Sequence, residues 1–209
     1  MLTVEPHPLL DLRAFVTTWP EPLGQLEAPP WLRQLASLDA DVPFSPFDDG
    51  IKRTVRDLLR HGGFKPAGRS KPCSEYIRGV AARDRFPWIN AAVDATNLAA
   101  LHGCLPVSTV DIDLLELPLK VGIAAGGTRY VFNASGQEID LSGLLCLFDA
   151  AGPCANSVKD AMRAKTTATS TRTITVIWGT TGLAGRAQAL LDWHIDLNVR
   201  QGGSVEVLP

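Results

Sequence analysis

The chain has 209 residues, 45% of them hydrophobic and 20% charged, with a net charge of −2 and a sequence pI of about 6.1. A chain of this length buries a substantial core unaided, which argues against a disulfide framework or structural zinc, and its acidity argues against a general nucleic-acid binder. The longest uncharged stretch, Ala95 to Val110, is broken by Gly103 and Pro106 and is too short to span a bilayer.

Residues 1–45 carry seven prolines (Pro6, Pro8, Pro20, Pro22, Pro29, Pro30 and Pro43), so long regular elements are not expected there. The segment reads as an N-terminal extension packed on a domain formed by residues 46–209. Its opening residues include Glu5 and Asp11 and no basic leader, which argues against a secretory signal. A short helix is predicted from Pro30 to Leu38, with proline in its first turn. A second runs from about Asp48 to Arg60, buries Ile51, Val55, Leu58 and Leu59, and stops at Gly62-Gly63. Ser74 reads as the N-cap of a helix holding Tyr76, Ile77 and Val80. Trp88 to Gly103 reads as the central helix, with Gly103 as its stop. Strands follow at Leu119–Ala124, Thr128–Asn133, Leu144–Asp149 and Thr171–Trp178, with a tight hairpin at Gly126-Gly127 and a second turn at Ala134-Ser135-Gly136. A helix from Ala184 to Asn198 and a strand from Ser204 to Leu208 close the chain. Helices first and strands later predict an α+β fold, with helices packed against a mostly antiparallel or mixed sheet.

Charge is uneven along this order. Ten of the 20 cationic residues fall between Lys52 and Arg85, against three acids, Asp57, Glu75 and Asp84. Arg53, Arg56, Arg60, Lys65, Arg69 and Lys71 are therefore candidates for holding a polyanion; the alternative is a pair of amphipathic helices with solvated basic faces. The central helix poses a second question. Asn90, Asp94 and Asn97 share one face at i, i+4 and i+7 on an otherwise apolar helix. Their polar groups meet either neighbouring backbone or a ligand, because a buried polar group without a partner costs on the order of 1–3 kcal/mol.

The run Trp88-Ile89-Asn90-Ala91-Ala92-Val93-Asp94-Ala95-Thr96-Asn97, then Gly103-Cys104-Leu105-Pro106 and Asp111-Ile112-Asp113, resembles a signature of the beta chain of phenylalanyl-tRNA synthetase. The likeness covers that subunit's third and fourth B modules, its tRNA-editing domain, and extends weakly over residues 70–180. It implies the fold of that domain, tRNA as partner, no cofactor and no metal, and a pocket for a mischarged amino acid lined by Thr96 and Asn97. Asn90 and Asp94 match the motif in supporting positions. The sequence also departs from the family. Ser108 stands where the family has histidine, Gly127-Thr128 lacks the family's acid, and Arg163 stands where the family has glycine or an acid. The resemblance thus implies a pocket floor without the side chains that read a tyrosyl hydroxyl.

Ester hydrolysis needs a positioned water and donors for the oxyanion, without a protein nucleophile. Asn97, Thr96 and Ser108 are the candidates for that chemistry. Asn90, Asp94, Thr128, Arg163 and Lys165 are candidates for substrate binding, with Arg163 and Lys165 suited to a phosphate or carboxylate. The alternative for Lys159, Arg163 and Lys165 is a mobile basic loop. Gly179–Arg186 resembles a phosphate loop without its lysine, and helix capping explains it as well. Three functions follow: hydrolysis of mischarged aminoacyl-tRNA in trans, tRNA or RNA binding without catalysis, and binding of an amino acid alone.

Overall fold

The computed structural model describes residues 2–209. In chain order the elements are β1 (Leu2–Val4), β2 (Leu10–Thr18), α1 (Pro30–Gln34), α2 (Asp49–Arg60), α3 (Cys73–Ala81), α4 (Ala91–Gly103), β3 (Val107–Asp111), β4 (Leu119–Ile123), β5 (Arg129–Val131), β6 (Glu138–Asp140), β7 (Leu145–Asp149), β8 (Gly152–Asn156), β9 (Arg172–Thr180), α5 (Arg186–Arg200) and β10 (Ser204–Leu208). The fold is α+β, as the order of elements predicts. One sheet runs β10-β2-β9-β3 and is antiparallel throughout. A second runs β1-β4-β7-β8, with β1 parallel to β4, and β5-β6 forms a separate hairpin.

The largest departure from the sequence reading is β2. The interval between Pro8 and Pro20 contains no proline, and its nine-residue strand pairs with β9 from Leu10↔Thr180 to Thr18↔Arg172. Because β10 lies on its other side, β2 is an interior strand, and Phe15 is fully buried at its centre. Two smaller differences concern turns. Gly126-Gly127 makes no hairpin, since β4 pairs with β7 and β5 with β6; Ala134-Ser135-Gly136 does join a paired hairpin. Strands β1, β3, β6 and β8 are likewise absent from the sequence reading, and Asp111–Asp113 is where β3 gives way to a short 3-10 turn.

The helices begin and end for identifiable reasons. Asp48 caps α2 by accepting from the Ile51 amide at 2.7 Å, an interaction typically worth about 1 kcal/mol. Ser74 caps nothing: it lies buried inside α3, which starts after Pro72. Gly103 is still helical, and the left-handed residue that ends α4 is Cys104, at φ 57°. Glycine at 103 serves packing instead, because a Cβ there would meet the Leu190 side chain of α5 at 2.5 Å. Helix α4 is buried at eleven of its thirteen residues, so its few polar side chains must each find a partner or face a cavity.

Candidate functional site

Helix α4 starts at Ala91, three residues later than Trp88, and this changes the meaning of its polar stripe. Asn90 is the N-cap: its Oδ1 accepts from the Val93 amide at 3.0 Å, and its Nδ2 donates to Thr166 Oγ1 at 3.1 Å. The Asp94 carboxylate turns back to accept from the Ile89 amide at 2.7 Å. Burial pushes the Asp94 carboxyl up to about 6, against the opposing pull of the Ile89 and Asn90 amides and of Arg33. Thr96 donates to the Ala92 carbonyl at 2.8 Å, and its hydroxyl lies 2.5 Å from Thr109 Oγ1, which in turn lies 2.8 Å from Thr175 Oγ1. These groups hold the helix to its own backbone, to β3 and to β9. Asn97 differs. It is half-buried, and its side-chain amide makes no hydrogen bond among the described residues.

The Asn97 amide lines a cleft of about 400 Å³. One wall is the α4 face carrying Val93, Thr96, Asn97 and Ala100; the opposite side carries Phe132, Lys159, Asp160, Lys165 and Thr166. The link from Asn90 to Thr166 ties the start of the helix to that second wall. Asn156 fixes the intervening loop: its Oδ1 accepts from the amides of Val158 (2.7 Å) and Lys159 (2.9 Å), and its Nδ2 bonds the Tyr130 hydroxyl. That hydroxyl donates to the Lys159 carbonyl at 2.5 Å.

Asp160 is not among the sequence candidates, because neither its spacing nor its neighbours in the chain set it apart. Its carboxylate accepts one amide hydrogen bond, from Asn156 at 3.2 Å. Loss of water pushes it up to about 6, opposed by the Asn156 amide and the charge of Lys165. At neutral pH it is mostly ionised yet close to its titration point, as a general base requires. Cys73 also lines the cleft, but burial pushes its thiol up to about 12, so it is no nucleophile at neutral pH.

The other sequence candidates lie elsewhere. Ser108 is buried within β3, donating to the Asn156 carbonyl at 2.8 Å and accepting from Trp178 Nε1 at 3.0 Å. Thr128 sits in the turn before β5 and does not line the cleft. Arg163 faces away from it, gripping Asp149 through two bonds of 2.7 Å and reaching the Gly152 and Pro153 carbonyls. Among the basic candidates, Arg56 is held by Glu75 at 2.6 and 2.7 Å and Arg60 by Asp57 at 2.8 Å. Arg53 and Lys65 are exposed. Arg69 and Lys71 line a second cavity of about 410 Å³, which shares Lys159 with the first.

A larger cleft of about 630 Å³ lies where β1 and β2 meet α5 and β10, but none of the candidates from the sequence lines it. Among the described residues, no group of three His, Cys, Asp or Glu is placed to hold a metal ion, and no helix is long and apolar enough to cross a membrane.

No family model matches the chain, and no curated protein sequence matches it significantly. Among solved structures it is similar to an N-terminal fragment of the phenylalanyl-tRNA synthetase beta-subunit from Pyrococcus horikoshii, with a TM-score of 0.50 and 10% sequence identity. The likeness covers 98% of this chain and 50% of that fragment, so the chain spans half the fragment's length. At that identity the similarity is one of fold.

Proposed function

We propose that the chain binds tRNA in the cytoplasm and hydrolyses, in trans, the ester of a mischarged aminoacyl-tRNA, with the cleft at Asn97 receiving the aminoacyl end. The observation that carries this reading is the free Asn97 amide in a cleft that also presents Asp160 and Lys165. The reading gives each group a distinct task. Asp160 takes a proton from water as the water oxygen bonds to the ester carbonyl carbon. The Asn97 amide donates to the resulting oxyanion, and Lys165 offsets its charge. The carbon–oxygen bond to the ribose then breaks, and the ribose oxygen takes up the proton. Thr96, whose hydroxyl is spent on the Ala92 carbonyl and Thr109, shapes the wall without donating to the reacting ester.

A panel of mischarged tRNAs tests the reading, with release of the amino acid as the readout. Asn97→Ala should slow release by roughly 100-fold, the usual cost of losing one oxyanion donor. The parental rate should rise with pH through about 6, and Asp160→Asn should flatten that rise. Turnover no greater than that of Asn97→Ala on every tRNA would sink it.

One observation favours a second reading, binding without catalysis: the Thr96 and Ser108 hydroxyls are committed to the interior. In that case tRNA binds with strong salt dependence while the ester survives. The cleft volume also suits a free amino acid, and thermal stabilisation by amino acids regardless of RNA would select that third reading.

A further inference from the structure

Three cations, Arg69, Lys159 and Lys165, crowd together where the two cavities meet. The Lys159 ammonium is shifted below its ordinary range by burial and by the charges of Arg69 and Lys165. No carboxylate lies within ion-pair distance of any of the three among the described residues. Two acids adjoin the lining of the second cavity in sequence: Glu75 is taken by Arg56, and Asp160 lines the first cleft instead. The second cavity is lined by Gly68, Arg69, Lys71, Tyr76, Val158 and Lys159. Tyr76 is 56% exposed, although it sits on a helix whose neighbouring Ile77 is buried. The Lys71 ammonium lies 5.9 Å from the Tyr76 ring centroid, at the outer limit of a cation–π contact, and so is only loosely held there. On the other side of the ridge, the Lys159 ammonium lies 4.0 Å from the Phe132 ring centroid, within the Asn97 cleft.

A lone exposed tyrosine needs no explanation, and neither does a solvated lysine. An open aromatic face beside Arg69, Lys71 and Lys159, in a nucleoside-sized cavity whose lining contains no acid, has the composition of a single-strand RNA subsite. Bases stack on aromatic faces whatever their identity, while cations track the phosphates. We infer that the Tyr76 cavity is a nucleotide subsite for single-stranded RNA: a base stacks on Tyr76, and Lys71, Arg69 and Lys159 hold the phosphates that lead across the ridge into the Asn97 cleft. The inference rests on the tRNA reading for its direction, because it places the unpaired nucleotide before the terminal one in the neighbouring cavity.

The test uses the full chain and a fluorescein-labelled single-stranded RNA of about eight nucleotides bearing no amino acid, with anisotropy read across a salt series. Tyr76→Ala should weaken binding by roughly tenfold, whereas Tyr76→Trp should keep it. Lys71→Ala and Lys159→Ala should each lower the slope of log affinity against log salt by about 0.7. Binding of Tyr76→Ala within roughly twofold of the parent overturns the inference. So does inorganic polyphosphate of similar charge if it binds as tightly as the RNA, since the patch would then be reading charge alone. Melting curves matching the parent confirm that these surface variants remain folded. The oligonucleotide has no ester, so this outcome is independent of hydrolysis. Tyr76-dependent binding with no deacylation sinks the hydrolase and keeps the subsite; deacylation with Tyr76-independent binding does the reverse.

Discussion

Asp149 and Asp160 flank one short stretch of chain and have met opposite fates. The Asp149 side chain is entirely buried, yet its carboxyl is held below the usual range. Burial alone would raise it; the two-armed Arg163 guanidinium, with the amides of Glu116 (3.1 Å) and Ala151 (3.0 Å), outweighs that. Asp160 has one amide partner and the more remote charge of Lys165, and burial prevails. Arg163 and Lys165 divide accordingly, one closing a structural corner and the other lining an open cleft. An acid whose partners are complete has nothing to offer a ligand. One that is incompletely partnered and reachable does.

The largest effect expected from breaking this contrast is on stability. Arg163→Ala strands the Asp149 carboxylate in the interior and should cost about 3 kcal/mol at neutral pH, read by denaturant melts. A depressed carboxyl stabilises the fold above its unfolded value of 3.8 and loses that contribution as pH falls through the lower folded value. The penalty of the substitution should therefore shrink in acid. RNA affinity should barely change, and a large loss of affinity would mean that Arg163 serves the site after all.

His194 extends the comparison to a buried group with no polar partner. It is fully buried on α5, packed edge-on against Phe15 at 5.1 Å between centroids, with neither ring nitrogen hydrogen-bonded among the described residues. Burial depresses it from 6.5 to about 3. The unfolded chain thus binds a proton that the folded chain refuses, and stability present above pH 6.5 drains away as pH falls towards 3. Between pH 7 and 5 this amounts to about 2 kcal/mol, which His194→Phe should abolish. An unchanged acid slope in that variant would show that the ring is reached by water.

Asp160 has the opposite sign. A raised carboxyl favours folding most below its unfolded value of 3.8 and loses that contribution as pH rises through about 6. Asp160→Asn should therefore stabilise the protein at pH 7 by about 1 kcal/mol, while removing the pH dependence of any hydrolysis. Destabilisation by this change would put Asp160 with Asp149 as a structural acid.

What the sequence made legible follows the range of the forces involved. Helix α2 and its buried face are local, and the structure bears them out. So does the order of elements that predicted an α+β fold. The strand β2 escaped because prolines at its flanks outweighed a proline-free interval rich in Phe15, Val16, Thr17 and Thr18, whose partner strand lies far along the chain. At α4 the spacing of Asn90 and Asp94 was correct, but starting the helix at Trp88 turned two capping groups into an apparent ligand-facing stripe. Only Asn97 of that stripe is without a partner among the described residues. Asp160 could not be found by spacing at all: it becomes distinctive through the Asn156 loop and the α4 wall that desolvate it, both products of tertiary packing.

Lys165→Ala is the smallest perturbation and the sharpest comparison with Arg163→Ala, because the two cations stand two residues apart. Lys165 has no carboxylate within ion-pair distance among the described residues and is half-buried, so its removal should change stability by less than about 0.5 kcal/mol. Its charge nonetheless lowers Asp160, and without it the Asp160 carboxyl should titrate above its present value of about 6. Carbon-detected NMR of the carboxyl across pH measures this directly. An upward shift with stability preserved places Lys165 in electrical contact with a functional acid. An unmoved titration would leave Lys165 a solvated side chain and Asp160 governed by burial alone.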